Sequence, residues 1–229
     1  MTCPSAYVRG QPDGTVGIYP EEWESGTFEP KALLFVGPNH LDEVHVAARE
    51  GEAVVAGPVG PDPAQLPTRD HVWAMQTMAD FVADGRRLPR DWRAVSLDPR
   101  PDAVTDLEGW EGDVVVAGRL DNLPLVWVMD VGRIDLPELE LGADGAVLVA
   151  DPFWQGDDPA IGLETAEAPV LLLPAEDGWE QIELPKGRLD DVLVIRDVRP
   201  YKETQERPLE PGDGRLLAII DGVVWLRTY

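Results

Sequence analysis

The apolar residues of this chain come in runs of four to six, cut by 22 Gly and 22 Pro spread evenly along 229 residues. That punctuation sets the fold class. The runs are 15–19, 32–36, 53–56, 113–117, 125–129, 146–150, 170–173, 192–195, 216–220 and 223–227. Most are rich in Val and Leu and have strand length. The expected fold is mainly β, sandwich or barrel-like with many short antiparallel strands and one or two helices, with α+β as the alternative.

The clearest hairpin is GRLLAIIDGVVWLRTY at 214–229, where Asp221 and Gly222 supply the positive φ angles of a type I′ turn. Alternation puts Leu217 with Ile219 on one face, and Val223 with Trp225. The last strand is expected to be built into the sheet, so loss of 223–229 should be costly.

Two segments read as helix. Thr68 can cap 69–84, with Val72, Met75, Met78, Ala79 and Val82 on one stripe and Gly85 as the stop. The Met-bearing stripe fits core filling better than a binding groove. Asn39 to Gly51 fits a helix through Leu41, Val44, Ala47 and Ala48, or a strand through Val44, Val46 and Ala48. The organisation that follows is an N-terminal β-containing lobe (1–66), a helix and connection (67–92) and a larger β unit (93–229), packed as one body. Within the last, EGWEGDVVVAGRLD (108–121) and DGWEQIELPKGRLD (177–190) share seven of fourteen positions. This is either an internal repeat, with Arg119 and Arg188 paired to Asp121 and Asp190, or a recurring β-corner.

Charge constrains partners. Against 43 Asp and Glu stand 19 Lys and Arg, a net charge of −24, which repels nucleic acid and anionic lipid and favours cationic partners. Solubility or salt adaptation would give the same composition. A hydrophobic content of 44% with eight Trp excludes a disordered acidic tail. No apolar run approaches the 18 residues of a membrane span, and 1–14 has neither the basic nor the apolar region of a secretory signal. The expected location is cytoplasmic.

Motifs for catalysis are missing. Cys3 is the single cysteine, so neither an intrachain disulfide nor a thiolate cluster can form. His40 and His45 are five residues apart, which puts them on different faces of a helix or a strand, and with His71 they make no metal-binding motif. Ser5, Ser25 and Ser96 lie in no GxSxG, and no phosphate loop or dinucleotide fingerprint occurs. No catalytic residue, metal or cofactor is expected.

Two clusters stand out as partner-binding surfaces. PEEWES sets Trp23 among Glu21, Glu22 and Glu24, and DPFWQGDDP sets Trp154 among Asp151, Asp157 and Asp158 in a loop after 146–150. Indole beside carboxylate is what receives an Arg or Lys side chain. Trp110 and Trp179, each followed by Glu, read the same way. The leading expectation is a non-enzymatic acidic binding protein, of inhibitor or immunity type, covering a basic protein surface such as that of a nucleic-acid-binding enzyme. The alternatives are a structural β subunit of a larger assembly such as a virion, and a sugar-binding or hydrolytic protein using 151–158.

Overall fold

The computed structural model describes residues 6–10, 15–20, 32–36, 43–49, 52–62, 65–76, 92–110, 113–155, 158–195 and 215–228. Its strands in chain order begin with β1 (Ala6–Gly10), β2 (Thr15–Pro20), β3 (Ala32–Val36), β4 (His45–Arg49), β5 (Glu52–Gly57), β6 (Val59–Gly60), β7 (His71–Gln76) and β8 (Arg93–Val95). Next come β9 (Ala103–Trp110), β10 (Asp113–Leu120), β11 (Leu123–Val128), β12 (Gly132–Ile134), β13 (Val147–Gln155) and β14 (Asp158–Leu163). The chain closes with β15 (Val170–Ala175), β16 (Gly178–Glu183), β17 (Leu189–Ile195), β18 (Arg215–Ile220) and β19 (Val223–Thr228). They form five sheets, ordered β1-β2-β3-β6, β4-β5-β7-β8, β12-β11-β10-β9, β13-β14-β15-β16 and β17-β18-β19. The fold is mainly β.

Both helix expectations are corrected where the residues are described. His71–Gln76 is a strand paired along its length with β5 and, through Val72 to Ala74, with β8. Val72 and Ala74 are buried between half-buried His71 and Trp73, an alternation of period two that a stripe of Val72 and Met75 does not reveal. Pairing on both sides overrides the helical spacing. Residues 77–84 lie outside the described part. His45–Arg49 is likewise a strand, paired residue for residue with β5. The ladder closes with Arg49 opposite Glu52, and residues 50–51 lie outside the described part. Residues 39–42 lie outside the described part.

The chain divides into two compact units, one of residues 1–116 with 127–133, the other of 117–126 with 134–229. In the first, Leu34 and Val36 of β3, Ala53 and Val55 of β5, and Val59 form a sealed cluster against which Trp73 and Trp92 pack. The Trp73 indole N–H donates to the Val59 carbonyl at 3.0 Å, so the ring is both packed and satisfied.

In the second unit the core runs through strands β13 to β18, joining Leu171 and Leu173 to Val192, Val194, Leu216 and Ala218. Gly162 of β14 permits this approach: a Cβ there would stand 2.5 Å from Val192 Cγ1 and 3.2 Å from Leu189 Cδ2. The C-terminal hairpin has the expected turn, with φ of 50° at Asp221 and 72° at Gly222 and register from Ile220–Val223 to Arg215–Thr228. Leu216, Ala218 and Ile220 face the core, and Leu217 and Ile219 share the outer face.

The segments 108–121 and 177–190 follow different backbone courses. Trp110 ends β9, whereas Trp179 is the second residue of β16. Arg119 lies within β10, while Arg188 precedes β17. Arg188 donates to Asp190 at 2.7 Å, and Arg119 donates to the Ala143 carbonyl at 2.8 Å.

Candidate functional site

Of the residues singled out in the sequence, Glu21, Glu22, Trp23, Glu24 and Asp157 lie outside the described part. Residues 151–155 and 158 are strand and not loop, and 156–157 lie outside the described part. Asp151 and Trp154 lie on β13 and Asp158 opens β14, paired as Asp151–Ala160 and Gln155–Asp158 with two register shifts. Pro152, which cannot donate to a ladder, fits a strand only beside such irregularity. Asp151 is half-buried and Asp158 exposed; of the Trp154 side chain nothing is described.

A different acidic surface emerges from the second unit. Residues 134–185 hold 13 Asp and Glu and no Lys, Arg or His, so 52 consecutive residues carry more than half of the net charge. Asp135, Glu138, Glu140, Asp144, Asp158, Glu167, Glu176, Asp177, Glu180 and Glu183 are exposed.

The fold gathers several of these carboxylates. Trp179 N–H donates to the Asp135 carbonyl at 2.9 Å, which fastens one end of the 135–144 segment to β16. At its other end Ala166 N–H donates to the Glu140 carbonyl at 3.4 Å, Gly142 N–H donates to the Glu164 carbonyl at 2.9 Å, and Leu141 bridges Thr165 with its side chain buried. Glu183 pairs with Val170 near the end of β16. The segment between these fastenings carries Asp135, Glu138 and Glu140, and the residues next to its fastening points include Glu167 and Glu180. Trp179 thus serves the surface from below. Its polar edge is spent within the chain, and its neighbours present the charge.

The sequence signal for this strip was the missing cations. Trp among acids points to individual segments, whereas a run of 52 residues without one cation shows segregation along the sequence. Where both signs are interspersed, fields cancel within a Debye length of about 8 Å. Here the run supplies no cation of its own, and Arg119 of β10 reaches Asp144 at 3.7 Å.

The first unit holds a cleft of about 210 Å³ lined by Asp70, His71, Ser96, Leu97 and Arg100 among others. Asp70 accepts the Val104 N–H at 2.8 Å; burial raises its carboxyl above the ordinary value, against that hydrogen bond. Arg100 donates to the carbonyls of Arg69 at 3.0 Å and Asp70 at 3.2 Å, and its Nη2 lies 2.7 Å from His71 Nδ1, which also stands 3.2 Å from the Arg69 carbonyl. Burial first, then the Arg100 charge, hold the His71 pKa below its ordinary value. The His71 ring also stacks on Trp73, with centroids 5.9 Å apart. Arg100 and Asp70 spend these bonds on the protein's own backbone, so the arrangement is a latch between β7 and the 96–104 segment.

Among the described residues no group of three or more His, Cys, Asp or Glu is placed to hold a metal ion. No helix of the described part is long and apolar enough to cross a membrane. No protein-family model matches the chain, and comparison with curated proteins finds no match.

Proposed function

We propose that this chain is a non-enzymatic acidic binding protein, of inhibitor or immunity type, whose second unit covers a basic surface on a protein partner. The cationic cleft of a nucleic-acid-binding enzyme is such a surface. The observation that carries the reading is the acidic surface built from 134–185, a stretch with many exposed carboxylates and no cation in its own sequence. A coat that serves solubility alone works with both signs interspersed. Segregated charge instead steers an oppositely charged partner and raises the association rate.

The experiment is affinity capture from the source cell at low salt, followed by association kinetics with the captured protein. The reading expects a basic partner whose association slows at least about tenfold between roughly 50 mM and 500 mM salt. Neutralising the strip with Asp135→Asn, Glu138→Gln, Glu140→Gln, Glu180→Gln and Glu183→Gln should slow it similarly. A captured partner that binds this variant at the wild-type rate would remove the strip as the binding surface.

A further inference from the structure

Among the described residues, strand β19 is an edge that carries large apolar side chains on both faces. Val223, Val224, Trp225 and Leu226 are 55, 61, 47 and 67% exposed, and among the described residues its one strand neighbour is β18. Long apolar edges template pairing with another strand, and charge or Pro is the usual protection. Residues 223–228, VVWLRT, contain neither Pro nor an acid, and their one charge is Arg227. In a chain of net charge −24, this edge is where a second copy can approach without meeting carboxylates on the strand itself.

The register makes the edge self-complementary. In a two-residue hairpin the flanking pair, Ile220 and Val223, exchanges both backbone hydrogen bonds. Alternation then directs the N–H and C=O groups of Val223, Trp225 and Arg227 toward β18, and those of Val224, Leu226 and Thr228 outward. An antiparallel copy centred on Leu226 opposite its own equivalent uses all three outward residues, pairing Val224 with Thr228 of the second copy. That register sets Trp225 directly across from Arg227 of the second copy, twice by symmetry, as close non-hydrogen-bonded neighbours suited to cation–π contact. Registers shifted by two residues use fewer outward groups. On the outer face Leu193 (47% exposed), Leu217 and Leu226 already stand in one row across β17, β18 and β19. Pairing continues that row into the second copy.

We infer that β19 is a homodimer edge: two copies of this chain pair antiparallel through β19 about Leu226, joining their three-stranded sheets into one of six strands. The edge shares no residue with the acidic strip. Its salt dependence has the opposite sign, because screening relieves the repulsion between two chains of charge −24 while the strand pairing itself is short-ranged.

Sedimentation of the full chain across a concentration series tests this. A monomer–dimer equilibrium is expected, shifting toward dimer as salt rises. Leu226→Lys should weaken it at least tenfold, with unchanged circular dichroism, because a side chain so exposed is not needed for folding. The register is read by disulfide trapping in a Cys3→Ser background: Leu226→Cys should give covalent dimer on oxidation, since a hydrogen-bonded antiparallel pair has Cα atoms about 5.5 Å apart, within disulfide reach, whereas Val223→Cys should not. A chain that stays monomeric at all concentrations and salts overturns the inference, as does trapping at 223 equal to that at 226, or a dimer indifferent to Leu226→Lys.

Discussion

Asp190 and Gly222 are joined by a 2.7 Å hydrogen bond from the Gly222 N–H to Asp190 Oδ2, while the Oδ1 of the same carboxylate receives the Arg188 guanidinium. One side chain at the start of β17 thereby fixes the turn between β18 and β19, 32 residues later. The Gly222 bond first, and Arg188 second, hold the Asp190 pKa below its ordinary 3.8. A carboxylate depressed on folding contributes stability that is fully present above 3.8 and lost as pH falls through the folded value. Asp190→Asn should therefore lower the melting temperature at pH 7, and the gap to wild type should close on acidification well below 3.8. Thermal unfolding of both proteins across that range measures it, and a gap that persists in acid would show that the carboxylate charge is not what stabilises the turn.

His71 predicts a pH dependence in a different window. Its imidazole lies against the Arg100 guanidinium, 2.7 Å from Nδ1, and burial together with that cation lowers its pKa below the ordinary 6.5. Between the folded value and 6.5 the unfolded chain binds more protons, so stability rises with pH through this window and levels off above 6.5. His71→Gln should flatten that rise, seen as a smaller difference in melting temperature between mildly acidic and neutral buffer. A slope identical to wild type would mean that protonation of His71 does not break the latch.

Gly162 tests how β14 and β17 approach each other. A Cβ added there meets Val192 Cγ1 at 2.5 Å, and Val192 is itself 2% exposed. Gly162→Ala should cost about 1–3 kcal/mol, the range for overpacking a filled core. Paired with Val192→Ala, which frees the clashing methyl, the double variant should lose less than the two single costs summed. Denaturant unfolding of the four proteins gives the coupling, and strict additivity would place the strain elsewhere.

Much of the strand content was legible, because short Val- and Leu-rich runs between Gly and Pro leave few other options. All ten apolar runs fall within or overlap observed strands, and Asp221-Gly222 forms the turn that its residues require. Strands outside the ten apolar runs have weak patterns of their own. In β16, GWEQIE, Ile182 is buried while Gly178, Glu180, Gln181 and Glu183 are exposed, a strand defined by its ladder with β15 and not by its own hydropathy. In β7 a helical stripe and a strand alternation coincide over six residues, and only pairing with β5 chooses between them. The acidic strip was hidden differently. Its residues span 134–185 and come together through backbone bonds such as Trp179 to Asp135, which no local motif encodes.

Charge gathered for a partner should carry a cost in the free protein. Glu138, Glu140 and Glu183 are exposed, and no cation occurs between 134 and 185 to offset them. Like charges held close by the fold destabilise the compact state at low ionic strength. The triple variant Glu138→Gln, Glu140→Gln and Glu183→Gln should therefore melt higher than wild type, by roughly 1–3 °C for exposed charges in a chain of this size. The gain should shrink as salt rises, since screening removes the same repulsion. Neutralising three exposed acids of the first unit, Glu43, Asp62 and Asp98, is the comparison, because cations are interspersed there and the gain should be smaller. Equal gains from the two triple variants would mean that the carboxylates of 134–185 repel one another no more than those elsewhere, and the strip would then have no collective field with which to draw a basic partner.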